Sequence, residues 1–274
     1  MSSKPFSGAS ILRILLLSIC WTVLTVVLYF TTDIEGVNKA PFFINLAFIG
    51  LLSVIFIELK LKGIKFYHYL TPNKKSEWQL LYIFIPLIII SLGFGWLVNI
   101  ILYYISPEYF QSRYLSMVNS SSFDPQGSFG SILMVSISAC VVAPLAEELL
   151  FRGIFFDKLR NRWSVLIGLI VSSFIFGVFH FDIIGSFLFG VVLCILYLET
   201  ESLFVPIGIH FLNNSTAVLL SLIWPKVGTS SSGLNYLFEN LWLYISFLII
   251  GASWLVWFIY SRRNLLTKEM KSRA

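Results

Sequence analysis

The sequence predicts an all-α fold, a polytopic bundle of about eight transmembrane helices with both termini in the cytoplasm, and three observations predict it. The 274 residues are 57% hydrophobic and only 12% charged, with a mean hydropathy of +0.85, whereas soluble domains carry roughly 25% charged residues. Apolar runs of about the 20 residues that a spanning helix needs recur along the whole chain. With the N-terminus inside, only Lys39, Arg113 and Lys226 fall on the outer connections, leaving 16 of the 19 Lys and Arg on the cytoplasmic side.

The first span, residues 11–30, is too long for the apolar core of a signal peptide, and no A-x-A site follows it. A polar segment at 31–40 leads to a second span at about 41–59, and then to a basic loop, 60–78, in which His68 reads as solvated. The third span covers about 79–105. A loop at 106–128, rich in Ser and containing Gly and Pro, separates the N-terminal helices (1–128) from a candidate catalytic core (129–225).

In that core a helix starts near Phe129, runs through PLAEELLFR (144–152) to about Arg160, and turns at Asn161 before Trp163. Pro144 predicts a bend or a restart, because the residue before a proline avoids the α region. A restart would set Glu147 and Glu148 in a first turn, where the helix dipole favours negative charge. Further spans follow at about 163–180, 183–198 and 203–224, the last expected to kink at Pro206. The region 226–274 holds a final span, about 236–260, and a basic tail. Gly168 with Ser172, and Ser186 with Gly190, have the four-residue spacing that lets helices approach closely, a spacing also common by chance in apolar sequence.

Cys20, Cys140 and Cys194 all lie inside apolar runs and read as packing residues rather than as a disulfide framework or a metal site. The net charge of +5 follows from orientation, and nothing else points to nucleic acid. The chain has no H-E-x-x-H, no G-x-S-x-G and no Gly-x-Gly-Asp.

Two carboxylates and a guanidinium inside a membrane-length run are costly and mark a functional site. Glu148 and Arg152, four apart on one helix face, predict an ion pair. Glu147 points about 100° away and is free for chemistry. Counting about 1.5 Å per residue from the turn at 160–163 sets Glu147 about 20 Å and His180 about 25 Å above it, so the two can face each other. Phe176 shares a face with His180, and His210 shares one with Asn214.

Together Glu147, His180, His210 and Asn214 supply what peptide hydrolysis needs. A carboxylate takes a proton from water, and a histidine or amide donates to the oxyanion and returns a proton to the leaving amine. The alternative use of the same donors is zinc, held by His180, His210 and Glu147 with water in the open position. If Glu147 is the base, two obvious ligands remain.

EELLFR at 147–152, FGVFH at 176–180 and HFLNN at 210–214 resemble the three motifs of the CAAX-protease and bacteriocin-processing family of intramembrane endopeptidases. Those motifs are Glu-Glu-x-x-x-Arg, Phe-x-x-x-His and His-x-x-x-Asn/Asp, and the resemblance covers roughly 129–225 with no departure at a motif position. It implies an α-helical membrane protease in which Glu147 activates water and His180, His210 and Asn214 complete the site. Glu148, Arg152 and Phe176 would be structural beside it. Members have been described both as glutamate-dependent and as zinc-dependent, so Zn2+ stays open.

The implied partners are the bilayer and a membrane-associated substrate, either a prenylated tail or a leader peptide. A chain of this size with no soluble domain suits a bacterial plasma membrane. Two other classes compete. One is a non-hydrolytic immunity or binding protein on the same scaffold. The other is a proton-coupled transporter, against which the lack of paired halves with matching broken helices counts.

Overall fold

A computed structural model describes residues 6, 8–32, 39–75, 77–119, 129–180, 182–223 and 237–271. Among them the protein is helical with no strand. The first helix, α1 (Ile11–Thr31), opens at Ser10, whose hydroxyl accepts the Arg13 N–H in an N-cap. It packs as a hairpin on α2 (Lys39–Leu61). The third, α3 (77–105), starts at Glu77, whose carboxylate accepts the N–H groups of Asn73 and Lys74.

The 106–128 segment, expected to be a loop, instead carries a helix, α4 (Pro107–Asn119). Pro107 occupies the first helical position, where its missing N–H costs nothing. Phe110 is buried in a satellite cluster with Trp96 and Leu237, with Tyr114 packed half-buried against it, and that burial holds the helix in place.

A long helix, α5 (129–162), carries the acidic motif. It is followed by α6 (Val165–Val178), α7 (Ile183–Thr200) and α8 (Phe204–Ile223). Ser164 and Asp182 cap α6 and α7 through their side chains, and Glu201 ends α7 in the left-handed conformation. Pro206 lies in the first turn of α8, where backbone N–H groups have no intrahelical partner. The kink expected there is therefore not required. The chain closes with α9 (Leu241–Ser261) and a short α10 (Arg263–Lys271).

Among the described residues six helices are long and apolar enough to cross a membrane: α1, α2, α3, α5, α7 and α9. The protein is a multi-pass integral membrane protein. Two of the eight expected spans, α6 and α8, are shorter apolar helices, Val165–Val178 and Phe204–Leu220. In α6 the helix stops at Val178 so that the chain can turn at His180 into the Asp182 cap of α7.

The core lies among α5, α6, α7 and α8, and Phe189–Leu198 of α7 are buried without interruption. Glycines bring these helices together. A Cβ on Gly168 would lie 2.9 Å from the Arg160 backbone, and one on Gly190 would lie 2.9 Å from Ser173. Gly168 and Gly190, one from each of the four-residue spacings in the sequence, thus mark close approaches between helices.

One end of the bundle gathers the basic connections. Leu203 N–H bonds Tyr69, Asn73 bonds Thr200, and Arg262 pairs with Glu199. At the same end Asp157 pairs with buried Arg160 at 2.7 Å and also accepts from Tyr197 and from the Phe6 N–H. Breaking a buried pair leaves an uncompensated charge. Asp157→Ala is therefore expected to destabilise the protein by roughly 3–5 kcal/mol in thermal unfolding in detergent. The double variant Asp157→Leu/Arg160→Met is expected to recover most of that loss.

Candidate active site

The geometry of the site begins with the backbone of α5. The helix does not restart at Pro144. It passes through two stretches of wider, π-type turn, Ser138–Val142 and Leu149–Phe156. In the first, the Ala143 N–H reaches back five residues to the Ser138 carbonyl. The next N–H in line would belong to residue 144 and would serve Ala139, but proline has none. Asn214 fills the gap from α8, its amide donating to the Ala139 carbonyl at 2.8 Å. In the second stretch, the Ser172 hydroxyl donates to the Phe151 carbonyl at 2.8 Å.

The two acids therefore sit in the middle of a helix rather than in a first turn, and side chains, not the helix dipole, hold Glu148. Glu148 is fully buried, and its Oε1 accepts from Arg152 Nη1 at 2.8 Å and from His210 Nδ1 at 2.8 Å. The expected Glu148–Arg152 pair is present, and His210 is a second partner of the same oxygen. The bond from the Arg152 guanidinium to the Glu148 carboxylate is charge-assisted, of the strong kind.

Phe176 organises the opposite side. The Arg152 guanidinium lies 4.3 Å from its ring centroid, and the His180 ring lies 4.3 Å from it. Its backbone carbonyl contacts His180 Nδ1 at 2.7 Å. A carbonyl only accepts, so Nδ1 of His180 carries a proton. By the same logic Nδ1 of His210 donates to the Glu148 carboxylate.

Both imidazoles then direct Nε2 at one acid. Glu147 Oε2 lies 3.7 Å from His180 Nε2 and 3.8 Å from His210 Nε2, and it has no hydrogen-bond partner among the described residues. A water about 2.8 Å from both Glu147 and either ring closes a triangle on such a side. The side chains of Glu147 and His180 are 14% and 33% exposed and that of His210 4%, while Oε2 of Glu147 is itself buried. Charge balance adds a constraint. Two carboxylates and one guanidinium leave one negative charge, and a single proton shared among Glu147, His180 and His210 neutralises the set.

Of the residues the sequence singled out, Glu147, His180 and His210 come together, with Glu148, Arg152 and Phe176 behind them. Asn214, one turn beyond His210, is tied to Ala139, and its Oδ1 accepts from Asn213 at 3.3 Å. Phe189, whose ring centroid lies 5.3 Å from that of His210, is a neighbour that no motif signals. Cys140 and Cys194 are buried and unpaired with each other, in keeping with packing roles. Glu147, His180 and His210 are the side chains that would hold a metal here. Bonds of about 2.0–2.1 Å to a tetrahedral zinc imply ligand separations near 3.4 Å, a few tenths of an ångström below the 3.7 and 3.8 Å between Glu147 and the two rings. Among the described residues no three His, Cys, Asp or Glu form a metal-holding group.

Fold and site together define a helical membrane protein with a polar Glu/His/Arg centre built between helices. Residues 129–216 match the family model of Rce1-like, type II CAAX prenyl endopeptidases, which bears out the resemblance carried by the three motifs over that stretch. Over 93 residues, 33% of the chain, it is 33% identical to YdiL of Bacillus subtilis. Over 95 residues, 31% of the chain, it is 36% identical to the membrane-embedded CAAX protease MroQ of Staphylococcus aureus. An uncharacterized 24.3 kDa protein of Escherichia coli is 26% identical over 91 residues, covering 30% of the chain and 42% of that protein. The match spans 38% of the length of each of the first two relatives. No solved structure matches the chain at a significant level.

The two acids should respond differently to truncation. Glu148→Ala strands a buried guanidinium and is expected to cost roughly 3–5 kcal/mol in thermal unfolding. Glu147→Ala removes a carboxylate with no bond to lose and is expected to change stability by less than about 0.5 kcal/mol.

Proposed function

We propose that the protein is an intramembrane endopeptidase that uses Glu147 as general base, with His180 and His210 completing the reaction. The observation that carries this reading is the convergence of both Nε2 atoms on one unbonded carboxylate oxygen, at 3.7 and 3.8 Å. A water held there gives a proton to Glu147 as it attacks the scissile carbonyl. Whichever ring holds the shared proton donates through Nε2 to the developing oxyanion. Glu147 then returns its proton to the leaving amine. His210 suits the imidazolium role because Glu148 accepts from its other nitrogen, as the carboxylate does in a serine-protease triad.

The relatives' names support a membrane-associated substrate: MroQ is named a CAAX protease, and the matching family is described as CAAX prenyl endopeptidase. A prenylated C-terminal tail or a leader peptide is the proposed substrate class. The site lies within the bundle, so the scissile segment must reach it from the membrane or its interface. The proposed chemistry proceeds without zinc.

Peptides recovered from membranes of cells carrying the wild type and the Glu147→Ala form test this. A peptide cleaved only by the wild type is expected, together with loss of at least about 10³-fold in cleavage for Glu147→Ala, His180→Ala and His210→Ala in folded protein. Unchanged processing by Glu147→Ala would refute the proposal. Treatment with a zinc chelator is expected to leave cleavage unchanged. Inhibition reversed by added zinc would instead make the three side chains metal ligands.

A further inference from the structure

The acidic motif places two glutamates side by side, and only one of them faces the histidines. Adjacent helical residues differ by about 100° in azimuth, and a π-type turn inserts one residue into the helix, which rotates everything after it by about the same angle. The turn at Ser138–Val142 lies immediately before Glu147 and Glu148. Whether that turn is kept therefore decides which side chain points at His180 and His210.

Two features hold the turn open. Pro144 cannot supply the N–H that Ala139 would otherwise accept, and Asn214 supplies one from α8 at 2.8 Å. The same helix, one turn earlier, carries His210, bonded to Glu148. A single face of α8 thus grips α5 on both sides of Glu147, at residue 139 through the backbone and at residue 148 through a side chain.

We propose that Asn214 is a positioning residue: its amide replaces the backbone N–H that Pro144 lacks, and so fixes the azimuth at which Glu147 meets the two histidines. This role rests on the endopeptidase reading for its catalytic consequence, but not for its structural one. In the alternative, Asn214 touches substrate directly as an oxyanion donor.

The two roles separate in a double-mutant cycle on the full chain in detergent, read with a fluorogenic peptide ending in a farnesylated CAAX-type tail. Asn214→Ala is expected to lower kcat about 100-fold with KM little changed, the size of effect that a misplaced base produces. Pro144→Ala restores an N–H at residue 144, and in that background Asn214→Ala is expected to cost less than about threefold. An equal loss in both backgrounds would assign Asn214 to the substrate and overturn the proposal. Asn214→Asp, which keeps the shape but cannot donate when ionised, is expected to behave like Asn214→Ala.

Melting temperature provides a readout that needs no catalysis. Asn214→Ala is expected to lower it by about 3 °C with Pro144 and by almost nothing with Ala at 144. Equal shifts in the two backgrounds would also overturn the proposal. If wild-type protein leaves the peptide uncut, the protease reading fails for that substrate and the thermal cycle alone decides the role of Asn214. Pro144→Ser restores the same N–H and replaces Pro144→Ala should that variant not fold.

Discussion

Everything at the centre of this protein depends on one oxygen, Oε1 of Glu148. It takes a proton-bearing nitrogen from Arg152 on its own helix and another from His210 on α8, both at 2.8 Å, in full burial. A carboxylate in such surroundings is tolerable only while both partners stay in place. That requirement ties α5 to α8, fixes the ring of His210 and selects its tautomer. The Arg152 charge is spread further over the face of Phe176, whose carbonyl orients His180 from the other side. The reactive face is thus a consequence of the buried one: with both Nδ1 positions committed, both Nε2 positions turn to Glu147.

The division of labour between adjacent glutamates follows from the same constraint. Glu148 is fully buried and takes two bonds on one oxygen, whereas the Glu147 side chain is partly exposed and its Oε2, itself buried, has no hydrogen-bond partner among the described residues. Net charge supports the contrast, because the cluster holds one negative charge more than positive unless a proton joins it. The π-type turns widen α5 where two other helices must reach its backbone, at Ala139 and at Phe151. Such turns often coincide with functional sites for this reason.

Much of this was legible in the sequence because it is periodic or countable. The four-residue step from Glu148 to Arg152 predicts their pair, and counting from the turn near Trp163 lets Glu147 and His180 face each other, as they do at 3.7 Å. What escaped depends on contacts distant in sequence or on backbone detail. The bond from Glu148 to His210 joins residues 62 apart, and no local pattern encodes it. Pro144 signals a disturbance, but a restart and a π-type turn share that signal; the resolution depends on Asn214 arriving from another helix. The α4 helix was hidden because its Ser- and Pro-bearing composition resembles a loop, and its stability comes from burying Phe110 beside Trp96 and Leu237. Among the described residues six of the eight expected spans are long and apolar enough to cross a membrane, and the other two, α6 and α8, are shorter apolar helices, the first ending just before His180 and the second carrying His210.

The arrangement of protons on the two rings tests the account most directly, and the chain makes this tractable because it contains three histidines, one of them the exposed His68. In protein labelled with nitrogen-15 on histidine, the account predicts that His180 and His210 both carry a proton on Nδ1. It also predicts that Glu147→Gln shifts the Nε2 resonances of both rings and leaves those of His68 unmoved. Rings protonated on Nε2 alone, or Nε2 signals indifferent to Glu147, would contradict it.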